Sequence, residues 1–413
     1  MSQPPLEGNR VGAAARTWFL GPPRPHGEQL KNRSVGFLEL FYDLVFVVFI
    51  SRIAATLAGH VSVRTTFDYG VLFCMLWVIW FNGSLYHELH GREDGRARML
   101  MFIQMGMLAL LAVYAGHAAG PDGRAFAWIL TALLVVQTYQ WDTVRRVDRP
   151  QHRALAMRYI LGSVAAIILS LAAALVDDPD LRMGVWSAMV VVTVAGAATL
   201  LLIAPPQATG FSPTGSVVER FGLFVIIVLG EVVVGVVGGL SAAERDGRTI
   251  VVGVLALSIG FGFWWTYFDF IGERLPRDTA RSLVGWLMGH LPLTLAIAAA
   301  GAGMVGLVEH ASDARTPTGF AWLLSGSVAT MLIACAAITT TLTDRDRIGD
   351  VYGPVIPGLL AAALGALVIG WAHPTPWLFA LANTVLLAAV WWLGFVRFVA
   401  RDVPARDEPA AAP

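Results

Sequence analysis

The chain has 413 residues, of which 56% are hydrophobic and only 14% charged, and its 29 Lys and Arg balance 29 Asp and Glu. A soluble domain averages about 25% charged residues, so there are too few charges here to cover a water-facing surface. This excludes a soluble globular enzyme, a disordered chain and a fibrous protein, and the zero net charge gives no bulk attraction to nucleic acid. The composition therefore predicts a polytopic membrane protein.

Twelve apolar runs are long enough to cross a bilayer as helices, which requires roughly 20 mostly apolar residues. The runs do not alternate between polar and apolar residues, as the strands of a membrane barrel would, so the predicted fold is an all-α polytopic membrane protein. The predicted transmembrane helices are 36–59, 67–88, 99–119, 125–141, 158–176, 182–203, 216–239, 249–272, 282–306, 319–342, 353–372 and 376–398.

Because twelve is even, both chain ends are expected on one side of the membrane, and the basic residues indicate which side. With the N-terminus in the cytoplasm, the cytoplasmic segments contain 21 of the 29 Lys and Arg, and the outer segments contain six. An excess of Lys and Arg in cytoplasmic segments sets the orientation of membrane proteins. We therefore expect a cytoplasmic N-terminus and a cytoplasmic C-terminus.

The segments between the helices are short, so no soluble domain is inserted. Residues 1–34 contain no long apolar core and are therefore not a signal peptide. Cys74 and Cys335 both lie in apolar runs, which argues against a disulfide framework. The predicted organisation is a cytoplasmic N-terminal arm (1–34), a first six-helix half (35–203), a Pro/Gly-rich linker (204–215), a second six-helix half (216–399) and a disordered cytoplasmic tail (400–413).

The two halves begin with similar helices. ELFYD at 39–43 precedes LVFVV, and ERFGL at 219–223 precedes FVIIV. Six helices per half would relate the halves as parallel repeats about an axis normal to the membrane. Chance similarity between apolar helices would explain the match equally well. The first and seventh helices carry complementary charges that would be costly alone, which predicts that the two helices are neighbours.

Four stretches resemble motifs of the bacterial low temperature requirement A (LtrA) family. They are FLELFYDLVFVV at 37–48, ERFGLFVIIVLGE at 219–231, WWTYFD at 264–269 and HLPL at 290–293. The sequence YHELH at 86–90 departs from the family pattern, in which an aromatic residue and a cluster of acids are expected. The resemblance implies a multi-pass protein of the bacterial cytoplasmic (inner) membrane linked by name to growth in the cold. It implies no settled molecular activity.

We single out eight ionisable residues of the predicted helices, because a charge at mid-bilayer costs at least ~2.5 kcal/mol. Such residues are candidates for a polar intramembrane site. They are Glu39, Asp43, Arg52, Glu219, Arg220, Glu231, Asp269 and His290.

The depths of these residues predict how they pair. Glu39 and Asp43 are four apart and share a helix face, and Arg220 lies at a similar depth in the seventh helix. Arg52 and Glu231 lie at matching depths in the outer half of the membrane, which predicts that they form a buried ion pair. Each pair could equally serve only to fix helix packing.

Two further groups of residues give weaker indications of function. Asp269 and His290 could form a proton-handling pair, although a membrane His is more often a packing residue. The sequence HELH at 87–90 has its histidines three apart rather than the four of a zinc motif, so we expect a solvated helix end and no metal site. No cofactor motif is present.

Three functions stay open. The first is a transporter of a small solute or ion, with a polar site between the halves. The second is a cation channel of six-helix repeats, since FYDLVF at 41–46 distantly resembles the opening of such channels. The third is a non-transporting sensor or assembly factor. No enzymatic activity is expected, and the expected partners are the lipid bilayer and an unidentified small solute or ion, with no nucleic acid; a homo-oligomer is left open.

Overall fold

The computed structural model describes residues 7–25, 35–92, 94–203, 214–244 and 246–402. The described residues form fourteen helices and no strands, which confirms the all-α fold. The helices are α1 (Glu7–Leu20), α2 (Phe37–Gly59), α3 (Val63–His90), α4 (Gly95–Ala115), α5 (Gly123–Val147), α6 (Pro150–Leu175), α7 (Pro179–Ile203), α8 (Gly215–Ala242), α9 (Gly247–Phe270), α10 (Ala280–Glu309), α11 (Thr318–Thr339), α12 (Asp344–Arg347), α13 (Gly349–Ala372) and α14 (Pro376–Asp402).

Every one of the twelve predicted segments is helical, and eleven of the described helices are long and apolar enough to cross a membrane. The exception is α5, whose second half contains Gln137, Gln140 and Asp142. Both glutamines are buried, so their polarity faces protein rather than lipid. Amide side chains on the buried face of a membrane helix can hydrogen-bond to neighbouring helices, so they do not prevent α5 from lying among the others.

Side chains at the helix starts explain several boundaries. Ser62 and Thr65 form a reciprocal capping box at the start of α3, with Thr65 Oγ1 accepting from the Ser62 backbone N–H at 2.9 Å. Asp246 accepts the backbone N–H of Thr249 at 2.7 Å at the start of α9. That hydrogen bond holds the pKa of Asp246 below its usual value, because it favours the charged form.

The described helices form two compact units. Unit 1 extends to Glu231 and includes residues 278–284, and unit 2 contains residues 232–277 and 285 onward. The division between the units falls within α8. The predicted linker at 204–215 lies mostly outside the described residues, as does most of the predicted tail at 400–413, so the division into two sequence halves stays a prediction.

In unit 1, α3 is the central helix, with buried side chains on most of its faces. Its Trp80 ring stacks on Phe224 of α8 with ring centroids 4.0 Å apart. The α3 helix also contacts α5, which packs closely along α6. Only two residues separate α5 from α6, so these helices form an antiparallel hairpin.

The described part of the predicted N-terminal arm packs against this unit. Residues 7–20 form α1, and the Arg24 backbone N–H donates to the His90 carbonyl at 3.1 Å. Arg24 itself is buried, and Arg98 lies over the Trp18 ring. The predicted cytoplasmic arm is therefore not free along its whole length, because these contacts tie residues 18–24 to the end of α3 and the start of α4. Residues 1–6 and 26–34 lie outside the described part.

At the opposite end of unit 1, one buried side chain joins two loops. Arg182 of α7 donates to the carbonyls of Gly120, Ala173, Val176 and Asp177 at 2.7 to 3.3 Å. This arrangement satisfies carbonyls at the ends of helices, where intrahelical partners are missing.

In unit 2, α10 and α11 are the most buried helices, and α13 packs against both α11 and α14. Arg277, in the loop after α9, forms two hydrogen bonds to Asp346 of the short helix α12, at 2.7 and 2.8 Å. The Arg277 guanidinium holds the pKa of Asp346 below its usual value. These contacts join the loop after α9 to α12.

Candidate intramembrane polar site

A cluster of charged side chains lies inside unit 1, where α2 meets α8. Arg220 donates to Glu39 at 2.8 Å and to Asp43 at 3.4 Å. Asp43 is 0% exposed, and Arg220 is 4% exposed. Asp43 lies about 9 Å along α2 from the first residue of that helix, given a rise of 1.5 Å per residue. The first and seventh predicted helices therefore meet through the residues that the matched depths indicated.

Aromatic packing fixes the position of Asp43. The Trp80 indole N–H donates to Asp43 Oδ1 at 3.0 Å, and the Trp80 ring contacts Phe221 and Phe224 of α8. Trp80 is therefore both a hydrogen-bond donor to the carboxylate and a packing contact between α3 and α8.

The cluster has unused hydrogen-bonding capacity. Among the described residues, Asp43 Oδ2, Arg220 Nε and Ser84 Oγ are buried without a hydrogen-bond partner. A cavity of about 10 Å³, the size of a single water position, lies beside Arg220, Ser84 and Glu88. Buried polar atoms without partners are uncommon in proteins and often mark a functional site or an unseen water or ion. One oxygen of the Asp43 carboxylate is therefore without a donor among the described residues, although Asp43 itself does not line the cavity.

A network of amide side chains adjoins the cluster. Tyr42 donates to Gln104 Oε1 at 3.4 Å, and Gln104 Nε2 donates to Gln140 Oε1 at 3.3 Å. Gln137 Nε2 donates to the Ile79 carbonyl at 3.1 Å. These three glutamines and Tyr42 were not among the predicted site residues. Their occurrence within apolar helices was the signal that could have identified them.

The predicted ion pair between Arg52 and Glu231 is wrong. Glu231 is buried and accepts a hydrogen bond from Ser51, whereas the Arg52 side chain is exposed. Consecutive residues of a helix point about 100° apart, so only one of Ser51 and Arg52 can face Glu231. Arg52 lies seven residues before the end of α2, which is close enough for its long side chain to reach the interface.

The structure also separates Asp269 from His290. His290 is fully buried, and its Nε2 lies 3.0 Å from the Tyr267 hydroxyl, while its Nδ1 lies 2.7 Å from the Trp286 carbonyl. Asp269 is exposed and accepts from the Trp391 indole at 2.6 Å. Tyr267 and Asp269 are two positions apart on α9, on nearly opposite faces. The predicted Asp269–His290 pair is therefore replaced by Tyr267–His290.

Two other predictions are corrected. Glu219 is exposed and takes no part in the charged cluster. The helix end at 87–90, which we expected to be solvated, is partly buried, because His87 and His90 are each 2% exposed. Glu88 accepts from Thr214 at 2.9 Å and from Ser216 at 2.8 Å, which joins the end of α3 to the start of α8. Within the described ranges, no group of three or more His, Cys, Asp and Glu side chains could hold a metal ion.

These features define a class: a multi-pass α-helical membrane protein with a charged cluster buried among its apolar helices. Residues 34–395 match the family described as bacterial low temperature requirement A protein (LtrA), and the chain belongs to that family.

A curated relative is the uncharacterized protein RA0937 of Rhizobium meliloti (strain 1021). It is 26% identical over 281 residues, which cover 64% of this chain and 68% of that protein. No solved structure matches this chain. The name of the relative states no activity.

Proposed function

We propose that this protein is a transporter rather than an enzyme, and that it moves a small cation or a proton-coupled solute by way of Asp43. The observation that carries the proposal is the fully buried Asp43 carboxylate, one oxygen of which has no hydrogen-bond donor among the described residues. Charge buried in this way is costly unless it is fully paired, and binding of a proton or a cation lowers that cost. Intramembrane acids in such positions are typical of ion pathways and proton relays.

The surroundings support a narrow site rather than a wide pore. The cavity beside Arg220 is about the size of one water molecule, and Phe81 and Phe221 are among the side chains that line it. Arg220 contacts both acids, so its stronger contact with Glu39 leaves Asp43 the less compensated of the two. Asp43 is therefore the acid that we expect to change its protonation or cation occupancy during transport.

The first prediction concerns Asp43→Asn. An asparagine oxygen can still accept the Trp80 hydrogen bond, so the variant should fold, but it cannot bind a proton or a cation as the carboxylate does. Protons, monovalent cations and small metabolites are tested in turn in proteoliposomes, and a pH-sensitive dye reports the proton movement that accompanies transport. We expect the variant to lose the flux that the wild-type protein shows. Glu219→Gln, which removes the exposed acid next to Arg220, is the matched control and should retain the wild-type flux.

A second measurement needs no knowledge of the solute. Dicyclohexylcarbodiimide reacts with protonated carboxyl groups in apolar surroundings, so wild-type protein should gain one adduct on the peptide that contains Asp43. Asp43→Asn should gain none there. Unchanged flux in Asp43→Asn would contradict the proposal, and wild-type protein without flux for any solute tested would favour the sensor or assembly role.

We also propose that the protein lies in the bacterial inner membrane with both termini in the cytoplasm and with α5 as the twelfth span. The distribution of Lys and Arg supports this orientation. The length of α5, about 37 Å at 1.5 Å per residue, and its close packing along α6 support the twelfth span.

Cysteine labelling tests the twelfth span. In protein without Cys74 and Cys335, Pro121→Cys should react with an impermeant maleimide added outside intact cells, whereas Arg149→Cys should react only after the cells are opened. These exposed positions flank α5. If both cysteines react from outside, α5 does not cross the membrane and the twelve-span topology is wrong.

A further inference from the structure

A second cavity in unit 1, of about 590 Å³, lies among α3, α5, α6 and α7. Pockets of roughly 300–1,000 Å³ are typical of small-molecule sites. The cavity is lined in part by Gly162, Val192 and Gly196, which are exposed within helices that are apolar and long enough to span. In a bilayer, these exposed residues would face lipid, so the cavity would be open from the side.

The polarity of the lining changes in one direction along α6. Arg158 comes first, Ser163 follows, and Ala166 lies one turn further along the helix. A charged group, then a hydrogen-bonding group, then an apolar group is the order of the headgroup, the ester region and the acyl chain of a phospholipid. On the facing helix α7, Thr199 and Val192 line the same cavity.

Two observations point to a ligand. Gln137 lines the cavity and is 2% exposed, and its Oε1 has no hydrogen-bond partner among the described residues. Arg158 is exposed eight residues into α6, about 12 Å from the start of that helix, and no acidic side chain of the described residues pairs with it. Arg158 lies at the start of the apolar part of α6, which begins at Ala156, and therefore at the level expected for lipid headgroups. Basic pockets between transmembrane helices at that level bind anionic headgroups.

We infer that this cavity is a binding site for one anionic phospholipid, with its phosphate at Arg158 and one acyl chain between α6 and α7. Arg158 supplies charge and several hydrogen-bond donors to the phosphate. Asn82, Gln137 and Ser163 lie where the glycerol and ester oxygens would be, and the remaining lining is mainly apolar. The inference is independent of the proposed transport role, because no residue of the charged cluster lines this cavity.

Native mass spectrometry of the purified full chain in detergent tests the site. The protein is incubated with phosphatidylglycerol or with phosphatidylcholine that carries the same acyl chains. We expect one phosphatidylglycerol to be retained at collision energies that remove phosphatidylcholine. Arg158→Gln should lower the retained fraction about fivefold, which corresponds to the ~1 kcal/mol typical of one basic residue at a lipid headgroup. Arg149→Gln, at an exposed position outside the cavity, should change it little.

A cavity-filling variant provides the second arm. A side chain added at Gly162 meets nothing within 4 Å, so Gly162→Leu should fold and occupy the cavity. It should abolish retention, whereas Gly184→Leu, at an equally open position of α7 outside the cavity, should not.

Three results would overturn the inference. Equal retention of the two lipids would show an unselective apolar groove. Full retention by Gly162→Leu would place the lipid elsewhere. If the link at 204–213 fills the cavity instead, wild-type protein should retain no lipid, and replacing that link by a Gly/Ser sequence of equal length should create retention.

Discussion

Replacing Arg220 by methionine should destabilise the protein by roughly 3 to 5 kcal/mol, the usual result of removing one partner of a buried ion pair. Asp43 would remain fully buried and would keep only the Trp80 hydrogen bond among its described contacts. The measurement is thermal or denaturant unfolding in detergent, followed by tryptophan fluorescence.

Two variants separate this cause from a general effect of losing an arginine. Arg52→Met removes an exposed guanidinium from α2 and should change the stability little. Adding Asp43→Asn to Arg220→Met should recover part of the loss, because no buried carboxylate is then left without its cation. Equal losses for Arg220→Met and Arg52→Met, or no recovery in the double variant, would mean that the Asp43–Arg220 contact contributes nothing to stability.

Replacing Gly235 by alanine should destabilise unit 2, with a loss of about 1–3 kcal/mol or more, the range for overpacked cores. A Cβ at Gly235 would lie 2.1 Å from the Gly301 carbonyl oxygen. That neighbour is backbone and cannot turn away, so α8 and α10 would have to separate. Small residues at helix contacts allow this close approach in membranes.

Gly238 provides the matched control on the same helix. A Cβ there meets nothing within 4 Å, so Gly238→Ala should be neutral or slightly stabilising, since alanine favours a helix by up to ~1 kcal/mol over glycine. Both variants are compared by the same unfolding measurement. Similar stabilities for Gly235→Ala and Gly238→Ala would show that the close contact between α8 and α10 does not constrain the fold.

The sequence predicted the helices and the height of charged groups within them. In lipid, a long apolar run can satisfy its backbone hydrogen bonds only as a helix or as part of a closed barrel. Polar and apolar residues do not alternate in these runs, so a helix was predicted for each of them, and each is helical. The contact of Arg220 with Glu39 and Asp43 followed from matched depth and opposite charge. The depth of a residue along its helix can be read from the sequence, so matched depth limits which residues of two helices can meet, although it does not say which face each one lies on.

The direction in which each side chain faces could not be predicted in the same way. Depth alone did not distinguish Ser51 from Arg52, or Tyr267 from Asp269, because which face of a helix is buried depends on its neighbours. The glutamines around Tyr42 were missed for a related reason. An uncharged amide costs less to bury than a charge, so an amide in an apolar run is a weaker indication of a site. Its hydrogen bonds are nevertheless equally specific.

The loops held by Arg182 have a consequence for the order of assembly during synthesis. Arg182 lies 62 residues after Gly120, so α5 and α6 emerge from the ribosome before the guanidinium that binds the Gly120 carbonyl exists. Until then, the carbonyls of both loops must bond to water. The contact can close only when α7 arrives beside α6, so it completes the group of helices from α4 to α7 at a late stage of insertion.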